Sequence, residues 1–527
     1  RTTFLGAAPL DKPPEVLRER AREILAMAGV DRRPADSLFA FEPDLDYLEE
    51  LVRRDRAGAP TWHDLGASPP GAVRFGFRES AQPLSPIDPS KIGEWLLDPP
   101  DNRPGMARVT LDPGGRLVGL LVVPEERAAS SPAPEPDWTP LLQATGVDAK
   151  SLASVPPEWA PPVWADRRVA WSGAWPGREE ASVRIEAASK GGRPVALRVV
   201  LPWTRPAEEP TPPGGLLNRA SVLFRAAWPL VVLIVAGLVA LRNVRRGRGD
   251  RRGALRFACY LGAARMIWLL GAHHVAAASE SMIIAYHLAF ATWGAAFAYV
   301  FYLALEPYAR GLWPRMLVSW VRTLEGRFRD PLVGRDLLIG SAAGGLIAVI
   351  QRVADLVPQL LGAPRPMPLP GPWALEPLRG AIPALVAFVG VHTQALGEII
   401  FPVTSVLLFR LLLRRTDLAL VVAGMVGVII FYPDTGSIPV YLVTKAIEIV
   451  ICWSVLSRAG LLAFATMFSV MRLFGQMPLT PHPAEWYAGT TVLTAALLAA
   501  PAIYGFWIAR AGRPLLPADV LEPSAPR

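Results

Sequence analysis

Ionisable side chains fall inside, or at the edges of, long apolar stretches of this chain: Arg265, His273, His274, Glu280, His287, Arg352, Asp355, His392, Glu398, Lys445, Glu448 and Arg472. A charge carried into hydrocarbon is costly, so each of these raises the question of what it does there. Several lie near the ends of their stretches, where a long side chain reaches water. His273, His274, Glu280 and His287 flank one turn, and histidines with a carboxylate are metal ligands by type. Adjacent histidines on a helix diverge by about 100°, so the spacing favours interfacial hydrogen bonding over a shared metal ion. Lys445 and Glu448 stand three residues apart, as do Arg352 and Asp355, which is the spacing of ion pairs on one helix face.

One segment carries an enzyme-like pattern, GEIIFPVTSVLLFRLLLRR at 397–415. It resembles the first motif of CAAX-type glutamic intramembrane proteases, in which two adjacent glutamates precede an arginine four residues after the second. Here Gly397 stands at the first position, Glu398 at the second and Pro402 at the arginine position. The later aromatic-then-histidine motif is missing, and beyond His392 the only histidine is His482, in a loop. Without a second acid or base, water activation has no evident machinery. The resemblance therefore implies an inactive or divergent relative. His63, the only histidine before residue 273, has no paired acid or thiol near it and reads as a solvated loop residue. The residues thus assign no catalytic, cofactor-binding or metal site.

The elements that position these groups are apolar spans of about 20 residues. We read nine, at 226–241, 255–277, 281–304, 336–357, 381–401, 417–432, 438–457, 459–475 and 485–508, with the fifth able to continue past Pro402 to Leu413 as a kinked helix. The loop RNVRRGRGDRRG at 242–253 resists translocation and belongs in the cytoplasm. Alternating sides from there, the inner loops collect Arg310, Arg315, Arg322, Arg327, Arg329, Arg335, Arg410, Arg414, Arg415, Arg458, Arg510 and Arg513. The outer loops hold only Arg365 and Arg379. The net charge of +8 is thus explained by loop arginines, and nucleic-acid binding is not expected. Residues 308–330 place Trp313, Met316, Leu317, Trp320, Val321, Leu324 and Phe328 at helical spacing among arginines. This predicts an amphipathic helix on the inner membrane surface, a helix packed under the bundle being the alternative.

The first 225 residues are expected outside the cytoplasm. Helices are predicted over 12–30 and 44–54, a strand over 72–80, and a hairpin over 107–124 turning at Asp112-Pro113-Gly114-Gly115. After a Pro-rich linker the order recurs: helix 137–147, strand 167–177, hairpin 181–203 turning at Lys190-Gly191-Gly192. The fold class is a multi-span α-helical membrane bundle of about nine helices with an N-terminal extracytoplasmic α+β domain made of two related helix-plus-antiparallel-sheet modules. The boundaries are 1–127 and 137–203 for the modules, 128–136 and 204–225 for linkers, 226–510 for the membrane domain and 511–527 for a cytoplasmic tail. Trp159, Trp164, Trp171 and Trp175 are core residues by type or, less often, a ligand surface. Cys259 and Cys452 both fall in spans and form no framework for the outer domain.

Both halves resemble the region C-terminal to the kinase domain in bacterial membrane-bound Ser/Thr protein kinases. The likeness is carried by KPPEVLRERAREIL (12–25), ARVTLDPGGRLVGL (107–120), EPDWTPLLQATGVD (135–148), the long run LEPYARGLWPRMLVSWVRTLEGRFRDPLVGRDLLIG (305–340), AEWYAGTTVL (484–493) and YGFWIARAGRPLL (504–516). No Gly-rich phosphate loop, HRD loop or DFG stands in this chain, so no site transfers. The resemblance implies a sensory and anchoring region of a receptor-type kinase in a bacterial inner membrane. Its partners would be the bilayer, an extracytoplasmic ligand and a cytoplasmic kinase domain on the same polypeptide. That order agrees with the orientation, since residue 1 is Arg and no signal-like segment precedes the outer domain, so an upstream span is expected. Other readings are an intramembrane protease-like protein and a transporter; the latter is weakened by the scarcity of polar residues along a path and the lack of an inverted repeat.

Overall fold

The computed structural model describes residues 4–8, 10–56, 71–88, 96–127, 134–175, 178–206, 216–362, 371, 373–430 and 437–511. His63, Arg365, residues 128–133 and 207–215 of the two expected linkers and nearly all of the tail 511–527 lie outside the described residues.

After a single turn, α1 (Phe4–Ala7), the N-terminal half opens with α2 (Pro14–Met27). Proline at its first position loses no helical hydrogen bond, and Gly29 at φ +81 takes the left-handed conformation that stops it. Leu17, Ala21, Ile24 and Leu25 form its buried stripe. Then follow β1 (Asp36–Pro43), α3 (Leu45–Arg56), β2 (Val73–Ser80), β3 (Ala107–Leu111), β4 (Leu117–Val122), α4 (Thr139–Ala144), β5 (Ala153–Val155), β6 (Arg167–Trp175), β7 (Arg178–Lys190) and β8 (Arg193–Val200). The β7–β8 turn places Gly191 at φ 55 and Gly192 at φ 73, the two left-handed positions of a tight hairpin turn.

All eight strands form one antiparallel sheet, in the order β1-β2-β3-β4-β8-β7-β6-β5. Two small separate sheets were expected. Instead β4 pairs with β8 through Gly119↔Arg198, Leu120↔Leu197 and Leu121↔Ala196, so that each run covers an edge the other would leave open. Phe75, Phe77, Val109, Leu117, Val183 and Ile185 from both runs share one core with α2 and α4.

Asp112 opens the β3–β4 turn, where its side chain accepts the Arg116 amide at 2.8 Å. It is 2% exposed, and burial pushes its carboxyl above the usual aspartate range, with Arg116 opposing. A raised acid binds its proton more tightly when folded. Its contribution to stability is therefore present below the ordinary aspartate pKa of about 4 and is lost as pH rises through the raised value. Asp112→Asn is expected to remove that slope. Thermal melts of wild type and variant across the carboxylate range should show the wild type losing ground relative to the variant as pH rises.

The second half is helical. Among the described residues, seven helical segments are long and apolar enough to cross a membrane. They lie in α5 (Leu216–Arg245), α6 (Arg251–Met266, extended by a 3-10 turn to Gly271), α7 (Glu280–Leu312), α9 (Pro331–Leu360), α10 (Ala381–Leu413), α12 (Ile438–Arg458) and α14 (Ala488–Ala509). Two shorter apolar helices, α11 (Thr416–Ile430) and α13 (Leu461–Gln476), stand where spans six and eight were expected. Over the described residues they are 15 and 16 residues long, about 22–24 Å against a roughly 30 Å hydrocarbon layer. Most of α13 is buried among its neighbours. The fifth span does run on through Pro402 as one helix, and α5 starts at Leu216, inside the stretch expected to be linker.

The segment 308–330 is not a single surface helix. α7 continues to Leu312, a 3-10 turn spans Pro314–Leu317, and α8 covers Val318–Leu324. Pro314 interrupts the helical hydrogen bonding, and Gly326 at φ +80 turns the chain away. Met316, Leu317 and Trp320 are buried in the bundle core, with Trp320 edge-on to Phe257 at 5.2 Å. The arginine loop after α5 is also fixed: Asn243 donates to the Leu303 and Ala304 carbonyls at 2.9 and 3.2 Å, and Asp250 caps α6 by accepting the Gly253 amide at 2.9 Å.

Candidate functional site

Most ionisable groups picked from the sequence find protein partners. Lys445 donates to Glu448 at 2.6 Å, and Gln351 on α9 donates to the other Glu448 oxygen at 2.9 Å. Arg352 meets Asp355 at 3.2 Å. His392 lies 2.7 Å from the Tyr260 hydroxyl and 3.1 Å from that of Ser469. The histidines near the α6–α7 turn separate: His274 bonds Glu280 at 2.7 Å, whereas His273 bonds Asp36 of the sheet at 2.9 Å. Among the described residues no group of three or more His, Cys, Asp or Glu side chains is placed to hold a metal ion.

Glu398 accepts Arg472 at 2.7 Å and the Gln394 amide at 3.0 Å. Both of its oxygens are thus engaged, by a cation and an amide. This is the arrangement of an ion pair supported by a neutral amide. Seventeen residues from one end of α10 and fifteen from the other, it lies about 25 and 22 Å from them along the axis, at mid-depth of the bundle.

Two cavities meet at Glu398 and Phe401. One, of about 550 Å³, is lined by apolar side chains with Gln351, Ser405, Lys445, Glu448 and Arg472 among them. The other, of about 520 Å³, lies against Arg265, Trp268, Trp293, Trp373 and Gln394. A hydrogen-bond chain leads into the wall between them. Trp373 Nε1 donates to Gln394 at 3.3 Å, Gln394 donates to Glu398, and Arg472 donates to the other Glu398 oxygen. Gln351, Gln394, Tyr260 and Trp373 are neutral members of these networks, and no charge in the sequence marks them.

Removing one charge should expose how much each pair matters. Lys445→Met leaves Glu448 buried against an amide and is expected to lower bundle stability by roughly 3–5 kcal/mol. Lys445→Met with Glu448→Met should recover most of the loss in a thermal melt in detergent. Equal losses in single and double variants would contradict the pairing.

The sheet and the bundle share residues. Leu375 and Leu378, just before α10, and Tyr487, just before α14, belong to the sheet's hydrophobic core. Trp486 donates to the Leu10 carbonyl at 3.0 Å and stacks on Phe41 with centroids 6.1 Å apart. Burial pushes the Tyr487 phenol up to about 12. Ser279 donates to Ser85 at 2.7 Å, beside the His273–Asp36 contact. Trp373, two residues before Leu375, instead packs in a bundle cluster with Val386, Ala387 and Val391. The stretch 373–378 is therefore anchored in two cores at once.

The sheet carries a groove of about 400 Å³ over the β4–β8 seam. Trp159 lines it with the Arg198 guanidinium 4.6 Å from its ring centroid, and Arg108, Arg168 and Glu186 complete a mixed polar wall. Of the other tryptophans named above, Trp175 is core, Trp171 packs on Trp138 at 6.0 Å, and Trp164 is exposed beneath Lys190. No family model, no curated protein and no solved structure matches this chain.

Proposed function

We propose that this chain is the sensory and membrane-anchoring region of a receptor-type bacterial Ser/Thr protein kinase, with the sheet domain outside the cytoplasm and the arginine loops facing the kinase. The observation that carries the coupling is the stretch 373–378: Leu375 and Leu378 sit in the sheet core while Trp373 sits in the bundle. From Trp373 the hydrogen bonds run to the Glu398–Arg472 pair at mid-depth. A displacement of the sheet therefore has a packed route into the helices. The kinase assignment itself is supported by the segment likeness in both halves, and the orientation by the arginine asymmetry.

On this reading an extracytoplasmic ligand with polar groups would sit over the β4–β8 seam, against Trp159 and Arg198. It would signal only if it bound two arrangements of the sheet and bundle with different affinity. The inner ends of α5, α6 and α7, held by Asn243 and Asp250, would present the arginines to the kinase. The test is the reading frame upstream of Arg1. It is expected to encode a kinase domain followed by a membrane span, and a signal peptide there would overturn the reading.

A further inference from the structure

Arg265 is the one guanidinium of the intramembrane set with neither a hydrogen bond nor an ion pair among the described residues, and its Nε is buried without a partner. Trp268, less than one turn along, also buries its Nε1 without a partner. Both line the cavity of about 520 Å³. Two orphaned donors in one cavity call for an acceptor, and one of the donors is a full cation.

The protein does not supply that acceptor. The two carboxylates in the cavity wall are committed elsewhere, Glu398 to Arg472 at 2.7 Å and Glu376 to Arg379 at 2.8 Å. Phe290 covers one face of the guanidinium at 4.6 Å, which leaves its in-plane N–H groups unsatisfied. Opposite stands Gly294, where a Cβ would come within 2.7 Å of Arg265 Cδ and Nε, so the approach of the arginine depends on that glycine. Gln394 is also engaged at both ends, its oxygen accepting the Trp373 indole at 3.3 Å and its amide donating to Glu398 at 3.0 Å. Leu261, Trp293, Phe297 and Phe401 give the cavity its apolar wall. Arg265 lies fourteen residues into α6, about 21 Å along its axis, and so within the hydrocarbon layer.

We propose that this cavity binds a single-chain anionic amphiphile, its head on Arg265 and Trp268 and its tail along Phe297 and Phe401. An anionic head on an apolar chain is also the chemistry of a bilayer phospholipid. The size of the cavity, that of an ordinary small-molecule site, selects one chain over two. The inference stands apart from the kinase reading, because binding is measured without any kinase. It places the ligand against Trp373, the residue that joins the bundle to the sheet.

The test is tryptophan quenching of the full chain in phosphatidylcholine nanodiscs by 9,10-dibromostearate. Saturable quenching is expected, at least tenfold weaker for the methyl ester of the same acid. Arg265→Gln should weaken dibromostearate binding at least tenfold, and Arg265→Lys should stay within about threefold of wild type. The ester comparison uses wild-type protein and so holds even if Arg265→Gln fails to fold. Equal binding of acid and ester, or unchanged binding by a folded Arg265→Gln, would overturn the proposal. Tighter saturable quenching by brominated phosphatidylglycerol would assign the site to a bilayer lipid, and displacement of the probe by inorganic phosphate would remove the need for a tail. Either would overturn the single-chain assignment.

Discussion

Gly340→Leu is expected to dismantle the bundle. On α9, a Cβ at Gly340 would lie 2.4 Å from the Ala463 carbonyl oxygen of α13, and one at Gly344 would lie 2.6 Å from that of Met467. These are backbone atoms and cannot swing aside. On its other side α9 meets α14 through Gly334 and Gly505, where a Cβ on either would come within 2.8 Å of the other helix's backbone. Helices in hydrocarbon associate by such close approach, because lipid tails satisfy apolar side chains as well as a neighbouring helix does. Overpacking in a tight core costs roughly 1–3 kcal/mol even for small insertions, and a leucine here must separate two helices along their length. A detergent melt should show Gly340→Leu losing most of its cooperative transition, while Gly345→Leu, where a Cβ meets nothing within 4 Å, stays near wild type. Similar behaviour of the two variants would refute the packing.

Trp373→Ala is expected to separate the two halves. The indole is 8% exposed, packs edge-on to Trp268 at 4.8 Å and occupies the space beside Gly390. Truncating a buried tryptophan costs roughly 3–5 kcal/mol, and the Gln394 bond is lost with it. The loss falls at the joint, so its signature differs from that of a core mutation within either half. Calorimetry should show one wild-type transition splitting into two. Trp164→Ala, at a residue 64% exposed, is the control expected to change little. A Trp373→Ala variant melting in a single transition at the wild-type temperature would contradict the joint.

The hairpins were legible because their turns are written in residues with special backbone demands, Asp-Pro-Gly-Gly before β4 and Gly191-Gly192 before β8. Strand β1 was not legible. Leu38 and Ala40 enter one hydrophobic cluster while Phe41 enters another and Phe39 packs against it, so both faces are apolar and no polar alternation marks the strand. Nor could sequence spacing foretell that β4 pairs with β8, since that contact joins strands far apart in the chain. In the membrane half the apolar runs located the helices, but a continuous apolar run does not record length. α11 and α13 therefore read as spans although they are shorter. For the candidate site, the charged residues stood out against apolar neighbours. Their partners did not, because Gln394, Gln351 and Tyr260 carry no charge and meet them only through packing between helices. Trp373 was hidden for a different reason: it sits in a Pro-rich loop, where nothing in the spacing suggests that the chain dips back into the bundle.

The sheet is docked on the bundle through Trp486, Tyr487 and Ser279. The Ser85 and Ser279 hydroxyls lie 2.7 Å apart across that joint, in residues separated by 194 positions. The most direct measurement is a disulfide between Ser85→Cys and Ser279→Cys, with Cys259 and Cys452 replaced by alanine, formed in intact cells by a membrane-impermeant oxidant. A rapid, near-complete crosslink is expected, seen as a reducible mobility shift. No crosslink in a variant whose sheet domain is folded and accessible to that oxidant would contradict the docking.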